Sequence, residues 1–206
     1  RCIVMKNDIN FTYLFGSPIW NYDITSIDKN ILKNYIINLK SKDNGRVFSN
    51  SGTSWQSHSI PLDTPEFKPF YSTITNVMNS CFKELNGKTD KYKVVIEDCW
   101  ANVNTKSSFN WPHIHEGFLS MVYYVEADED TGDIQFLHPS KLQSKNWNFK
   151  MFNHENITST DASWKFNPIT NRCLIFPSWL EHKVNVNNTN KTRISISLNT
   201  KLEKIL

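Results

Sequence analysis

A helical front followed by a strand-rich remainder predicts an α+β fold whose sheet curls into a barrel or sandwich. Two patterns carry this expectation. Residues before Gly87 show apolar positions at the 3.6-residue period. After Gly87 come short β-branched and aromatic segments separated by turn residues. The length, 206 residues, suits one domain with a sizeable core and is short for two.

The first helix is expected to start at a Ser26 cap, with Asp28 in its first turn. Ile27, Ile31, Leu32, Tyr35, Ile36 and Leu39 form its apolar stripe, and Gly45 lies beyond its end. Residues 44–63 are rich in Ser, Thr and Gly and read as a long surface loop. A second helix starts near Thr64, with Pro65 and Glu66 in favourable first-turn positions. Pro69 is expected to kink its start, and Gly87 ends it. Strands are expected at 92–104, 118–125, 133–137, 172–176 and 192–199, with Gly132-Asp133 and Asn187-Asn188 as turns. The chain is read as one domain over 1–206, with 1–90 mainly helical support and 91–206 the β core.

A formal charge of +3, spread along the sequence, gives no case for nucleic-acid or membrane binding, both of which want clustered Lys and Arg. Four cysteines show no paired spacing, and three lie in apolar stretches, so a reducing compartment is favoured. No apolar run reaches the ~18 residues of a membrane span, and Arg1 to Asn7 lack the apolar core of a signal peptide. Soluble and cytoplasmic is the expectation. A segment upstream of Arg1 is left open.

The densest chemistry lies in Trp111-Pro112-His113-Ile114-His115-Glu116-Gly117. Two imidazoles at i and i+2 of an extended strand point to one face and can share one metal ion. His182 follows Phe176-Pro177-Ser178-Trp179-Leu180-Glu181, and Arg193 comes eleven residues after it. That order suggests an iron site beside an anchor for an anionic co-substrate. Non-haem iron is usually held by two His and one carboxylate. Here His113, His115 and His182 supply three imidazoles. Alternatively, one of the close pair binds while Glu116 or Asp133 supplies an oxygen. A His-x-His pair, or one isolated His, is by itself commonplace, so the combined spacing carries the reading. His58, His138 and His154 have no comparable context.

Only four of the 23 basic residues are Arg, which marks Arg193 as a site chosen for guanidinium geometry. Along 192–199, Arg193, Ser195 and Ser197 share one strand face, and Ile194, Ile196 and Leu198 share the other. A polar stripe of this kind can line a barrel interior and grip a carboxylate bidentately. It can equally be the solvent face of an edge strand. Ser120 and Tyr124 fall on one face of 118–125, where a phenol could donate to a co-substrate or simply pack. Asn102, among Trp100, Ala101 and Val103, could line the same pocket.

Trp100-Ala101-Asn102, His113-x-His115, Ser120-Met121-Val122-Tyr123-Tyr124-Val125 and Gly132-x-Ile134-x-Phe136 together resemble the 2-oxoglutarate/Fe(II) oxygenase family of bacteria and phages. So do Leu174-Ile175-Phe176-Pro177-Ser178-Trp179-Leu180-Glu181-His182, Arg193-Ile194-Ser195-Ile196-Ser197-Leu198-Asn199 and the opening Leu14-Phe15-Gly16-Ser17-Pro18-Ile19-Trp20. The resemblance implies a double-stranded β-helix (jelly-roll) core with N-terminal helices packed on one side, related to prolyl-hydroxylase-like oxygenases. It further implies Fe(II) as metal and 2-oxoglutarate as co-substrate. The chain departs from the family at Ser120-Met121, where Ser-Gly is frequent, and at Leu137-His138-Pro139-Ser140, where an acidic-Pro-Arg turn is frequent.

On this reading the protein is a 2-oxoglutarate-dependent dioxygenase that hydroxylates a small molecule or peptide. His113, His115 and His182 hold the iron. Arg193, Ser195, Tyr124, Ser120 and Asn102 attend the co-substrate, and a homodimer is compatible. One rival is a three-histidine cupin-like metalloenzyme that does not use 2-oxoglutarate, in which Arg193 binds the substrate's own carboxylate. Another is a non-catalytic jelly-roll binding module. Residues 44–63, with Trp55 and His58, and 138–168, with Trp147 and Trp164, are long enough to wall a substrate site.

Overall fold

A computed structural model describes residues 16–46, 54–140 and 163–205. Among these residues ten strands form two antiparallel sheets: β1 (Trp20–Asp23), β2 (Ser54–Gln56), β3 (Tyr92–Asn104), β4 (Asn110–His113), β5 (Leu119–Glu126), β6 (Ile134–Leu137), β7 (Ser163–Phe166), β8 (Arg172–Pro177), β9 (His182–Val184) and β10 (Arg193–Lys204). The larger sheet runs β1-β8-β5-β10-β3-β2, and the smaller β4-β9-β6-β7. This mostly β architecture with few helices is consistent with a jelly roll.

The larger sheet separates two apolar clusters, because side chains alternate across it. Ala101, Val103, Met121, Tyr123, Ile194, Ile196 and Leu198 cluster with Leu32, Ile36, Phe70 and Ile74 of the helices. Val122, Tyr124, Leu174 and Phe176 point the other way and meet Ile134 and Phe136 of the smaller sheet. The polar face of β10, carrying Arg193, Ser195 and Ser197, lies on this second side, between the sheets.

Helix α1 (Lys29–Lys42) is capped by Asp28, whose carboxylate accepts from the Asn30 N–H at 2.9 Å, and not by Ser26. Its apolar stripe is narrower than expected, since Leu32 and Ile36 are buried while Ile31 is 48% exposed. The second helical element opens as a 3-10 turn (Pro65–Phe67) and continues as α2 (Lys68–Glu84). The expected kink coincides with the change from the 3-10 turn to α-helix, just before Pro69. That proline sits in the first α-helical turn, where its missing N–H costs nothing. The first ninety residues add β1 and β2 to these helices, one at each edge of the larger sheet. Both are too short for a periodic signal.

The expected 92–104 strand is β3, and 118–125 and 172–176 correspond to β5 and β8. β10 runs on to Lys204, past the predicted end at 199, through a register shift at Asn199/Thr200. Cys81, Cys99 and Cys173 are buried free thiols, while Cys2 lies outside the described residues. No described helix is long and apolar enough to cross a membrane.

Candidate metal and co-substrate site

His113 ends β4 and is the direct cross-strand partner of His182, the first residue of β9. Pairing across an antiparallel ladder therefore joins two residues far apart in the chain. His115 lies beyond the end of β4, so the expected strand does not carry both imidazoles of the close pair. Its backbone N–H instead donates to the Ser178 carbonyl at 2.9 Å, which brings the ring back to the same place. The ring centroids are 4.4 Å (His113–His182), 4.9 Å (His113–His115) and 5.1 Å (His115–His182) apart.

One ligand nitrogen from each ring lies within 4.8 Å of the others. Three nitrogens about 2.1 Å from one ion stand at most about 3.6 Å apart, so a shared ion would draw the rings closer by about 1 Å. The rings are also chemically ready. His113 Nδ1 lies 2.6 Å from the Trp111 carbonyl and His182 Nδ1 lies 2.9 Å from the Leu180 carbonyl. A carbonyl only accepts, so Nδ1 carries the proton and Nε2 keeps its lone pair for a metal. Burial, reinforced by the neighbouring His113, pushes His115 down to about 4 and His182 to about 3, so both are neutral at pH 7. This donor set fits a divalent metal. Neither alternative oxygen ligand belongs to the cluster. Glu116 is exposed, and Asp133 accepts from Asn185 and pairs with Lys165 at 3.4 Å.

The histidines open onto a cavity of about 380 Å³ between the sheets, with Arg193 in its lining. Arg193 is only 2% exposed. Its Nη1 donates to the Thr131 carbonyl at 2.8 Å and to the Gly132 carbonyl. The turn explains this grip. Gly132 adopts φ +93, and a Cβ there would collide with the Asn185 carbonyl, so the backbone can fold its oxygens onto the guanidinium. Burial disfavours the Arg193 charge, while Tyr124 and Asp133 support it. Tyr124 lines the cavity and is pushed up to about 12, chiefly by burial, so its hydroxyl remains a donor.

Ser195 and Asn102 also line the cavity and face each other in register across β10 and β3. Asn102 donates to Ser197 Oγ at 3.2 Å and accepts from Gln56 at 2.9 Å. Ser120 is placed differently. It is buried outside the lining, and its hydroxyl joins Ser178 Oγ at 2.9 Å and Asn199 Oδ1 at 2.8 Å, tying β5 to β10. Trp55 is a core residue, with its indole N–H on the Asp43 carbonyl at 2.9 Å, and is no substrate wall. Residues 141–162, with Trp147, lie outside the described residues.

Sequence reasoning missed Arg46, Asp98 and the cavity role of Trp100. A signal for the last two existed: the alternation that exposes Asn102 to the cavity extends back to Trp100 and Asp98. For Arg46 the only signal was the scarcity of arginine.

Similar architectures occur among solved structures. A prolyl hydroxylase from Trichoplax adhaerens, in complex with a hypoxia inducible factor peptide fragment, has a TM-score of 0.59 at 18% identity, covering 90% of this chain and 83% of its own. A Pseudomonas putida prolyl-4-hydroxylase has a TM-score of 0.59 at 10% identity, covering 89% and 91%. The epimerase SnoN, in complex with Fe3+, alpha ketoglutarate and nogalamycin RO, has a TM-score of 0.61 at 10% identity, covering 92% and 82%. At these identities the likeness carries the fold. No curated protein is similar in sequence. Residues 98–199, which hold the three histidines and Arg193, match the family described as "Putative 2OG-Fe(II) oxygenase". That match identifies residues 98–199 as a 2OG-Fe(II) oxygenase region, with Fe(II) as metal and 2-oxoglutarate as co-substrate.

Proposed function

We propose that the protein is a 2-oxoglutarate-dependent hydroxylase in which His113, His115 and His182 hold Fe(II). Arg193, helped by Ser195 and Tyr124, takes the far carboxylate of 2-oxoglutarate, with Asn102 in the same wall and Ser120 supporting it from behind. The observation that carries this reading is that the three-imidazole cluster and the buried Arg193 line one cavity. Bound Fe(II) supplies the oxidising chemistry, and the net reaction converts a substrate C–H to C–OH as 2-oxoglutarate and O2 become succinate and CO2.

The chain's own residues prepare for that chemistry. The Trp111 and Leu180 carbonyls fix the tautomers of His113 and His182, so each keeps its Nε2 lone pair for a metal. Arg193 is preorganised by two carbonyls and can offer its remaining N–H groups to a carboxylate. The protonated Tyr124 can donate to the same group. Ile134, Phe176 and Val122 line the cavity with apolar surface, which limits water around these charges. We also read α1 and α2 as support packed on one side of the β-helix core. Their shared cluster with β3, β5 and β10, opposite the cavity, supports that reading. The partner is read as a small molecule or peptide, and neither nucleic acid nor membrane, on the dispersed charge. A monomer and a homodimer are both compatible with it.

Anaerobic titration of the Fe(II)-loaded protein with 2-oxoglutarate tests the reading. A metal-to-ligand charge-transfer band is expected, together with loss of iron binding in His182→Ala. Metal binding without any response to 2-oxoglutarate would favour a three-histidine enzyme of another kind. Unchanged iron occupancy in His182→Ala would sink the ligand assignment.

A further inference from the structure

The ladder between β3 and β10 sets the cavity's charged groups in order. Arg193 is opposite Asn104, Ser195 opposite Asn102, Ser197 opposite Trp100, and Asn199 opposite Asp98. Six residues separate the Arg193 rung from the Asp98 rung, about 20 Å of strand. The histidine cluster adjoins the Trp100 rung, for the Trp100 ring is 5.8 Å from the His115 ring. Anchor, co-substrate space and metal face therefore occupy the stretch from Arg193 to Trp100, and the Asp98 end is left over.

That end is built for charge. Arg46 approaches to 5.5 Å over the Trp100 ring, its Nε donates to the Ser57 carbonyl at 2.6 Å, and its Nη1 stands 3.6 Å from Asp98 Oδ2. At 3.6 Å the two make a loose ion pair and not a hydrogen bond. Arg46 and Asp98 both line the cavity, and Asp98 is its sole carboxylate among the described residues. A ligand with one charge would meet one attraction and one repulsion there. A ligand with a carboxylate beside an ammonium group matches both partners. Trp111 and Ile114, each 60% exposed and both in the lining, offer apolar surface next to the metal face for the rest of such a molecule.

Resting on the oxygenase reading above, we propose that the substrate is a free amino acid held by its zwitterionic head. Its carboxylate lies against Arg46 and its ammonium group against Asp98. The side chain crosses the face of Trp100 toward the three histidines. Arg46 and Asp98 are thus specificity determinants, at the opposite end of the cavity from the co-substrate anchor.

The test is intrinsic tryptophan fluorescence of the anaerobic Fe(II) protein, titrated with the twenty L-amino acids in the presence and absence of 2-oxoglutarate. N-acetyl and carboxamide derivatives of any binder, and glucose and glucosamine as uncharged and singly charged sugars, are titrated alongside. At least one free amino acid is expected to bind saturably, with either blocked form at least tenfold weaker. Asp98→Asn and Arg46→Gln should each weaken that binding at least tenfold while keeping the charge-transfer band, which reports that each variant folds. Arg46→Lys should recover part of the loss. The proposal is overturned if no free amino acid binds, if blocked forms bind equally well, or if a sugar binds in preference. Amino-acid binding without any charge-transfer band would keep the head-group site and overturn the oxygenase reading instead.

Discussion

At the scale of single residues, the site depends on groups whose protons and lone pairs are assigned by their neighbours. Arg193 is the sharpest case, a guanidinium 2% exposed whose Nη1 donates to two neutral carbonyls. Such an arrangement favours a ligand that brings the missing negative charge. Truncating a buried charged contact costs about 2–5 kcal/mol, so Arg193→Ala is expected to weaken 2-oxoglutarate binding by about 30-fold or more. Iron content should remain at the wild-type level, because no metal ligand is touched. Loss of iron along with the co-substrate would show that Arg193 holds the fold and not the ligand. The three histidines and Arg193 were legible in the sequence because their chemistry is rare and their spacing short. Arg46 and Asp98 were not, because their meaning arises only when β3 and the segment before β2 meet around one cavity.

Elements show a similar division. Strands β3, β5, β8 and β10 could be read from long apolar or alternating runs, since each packs against a core on at least one face. β1, β2 and β9 have four residues or fewer, and their pairing comes from neighbouring strands more than from their own composition. The helix start was misplaced by two residues, because Ser26 and Asp28 are both good caps and only backbone geometry chooses between them. Asp28→Ala should therefore cost about 1 kcal/mol of stability, read by chemical denaturation. Ser26→Ala should have a much smaller effect. A larger loss from Ser26 than from Asp28 would contradict the observed cap.

For the whole molecule, the metal site ties β4 to β9 across the smaller sheet, so a bound ion should act as a staple. Ligand at a hundred times its Kd stabilises a protein by about 2.7 kcal/mol. At roughly 2–4 °C per kcal/mol for a chain of this size, Ni(II), which needs no anaerobic handling, should raise Tm by about 5–11 °C. His182→Ala should abolish the rise, and a rise that survives in that variant would place the binding elsewhere. The two sheets also differ in how firmly they hold their share of the site. Among the described residues β10 is flanked by β5 on one side and β3 on the other, whereas β4 is an edge strand of four residues paired only with β9. Opening β10 means breaking two ladders and the core behind them, while β4 can fray at little cost. The two halves of the site are therefore unequally anchored: His113 sits on an edge strand held from one side, whereas Arg193 is carried by a strand laddered on both.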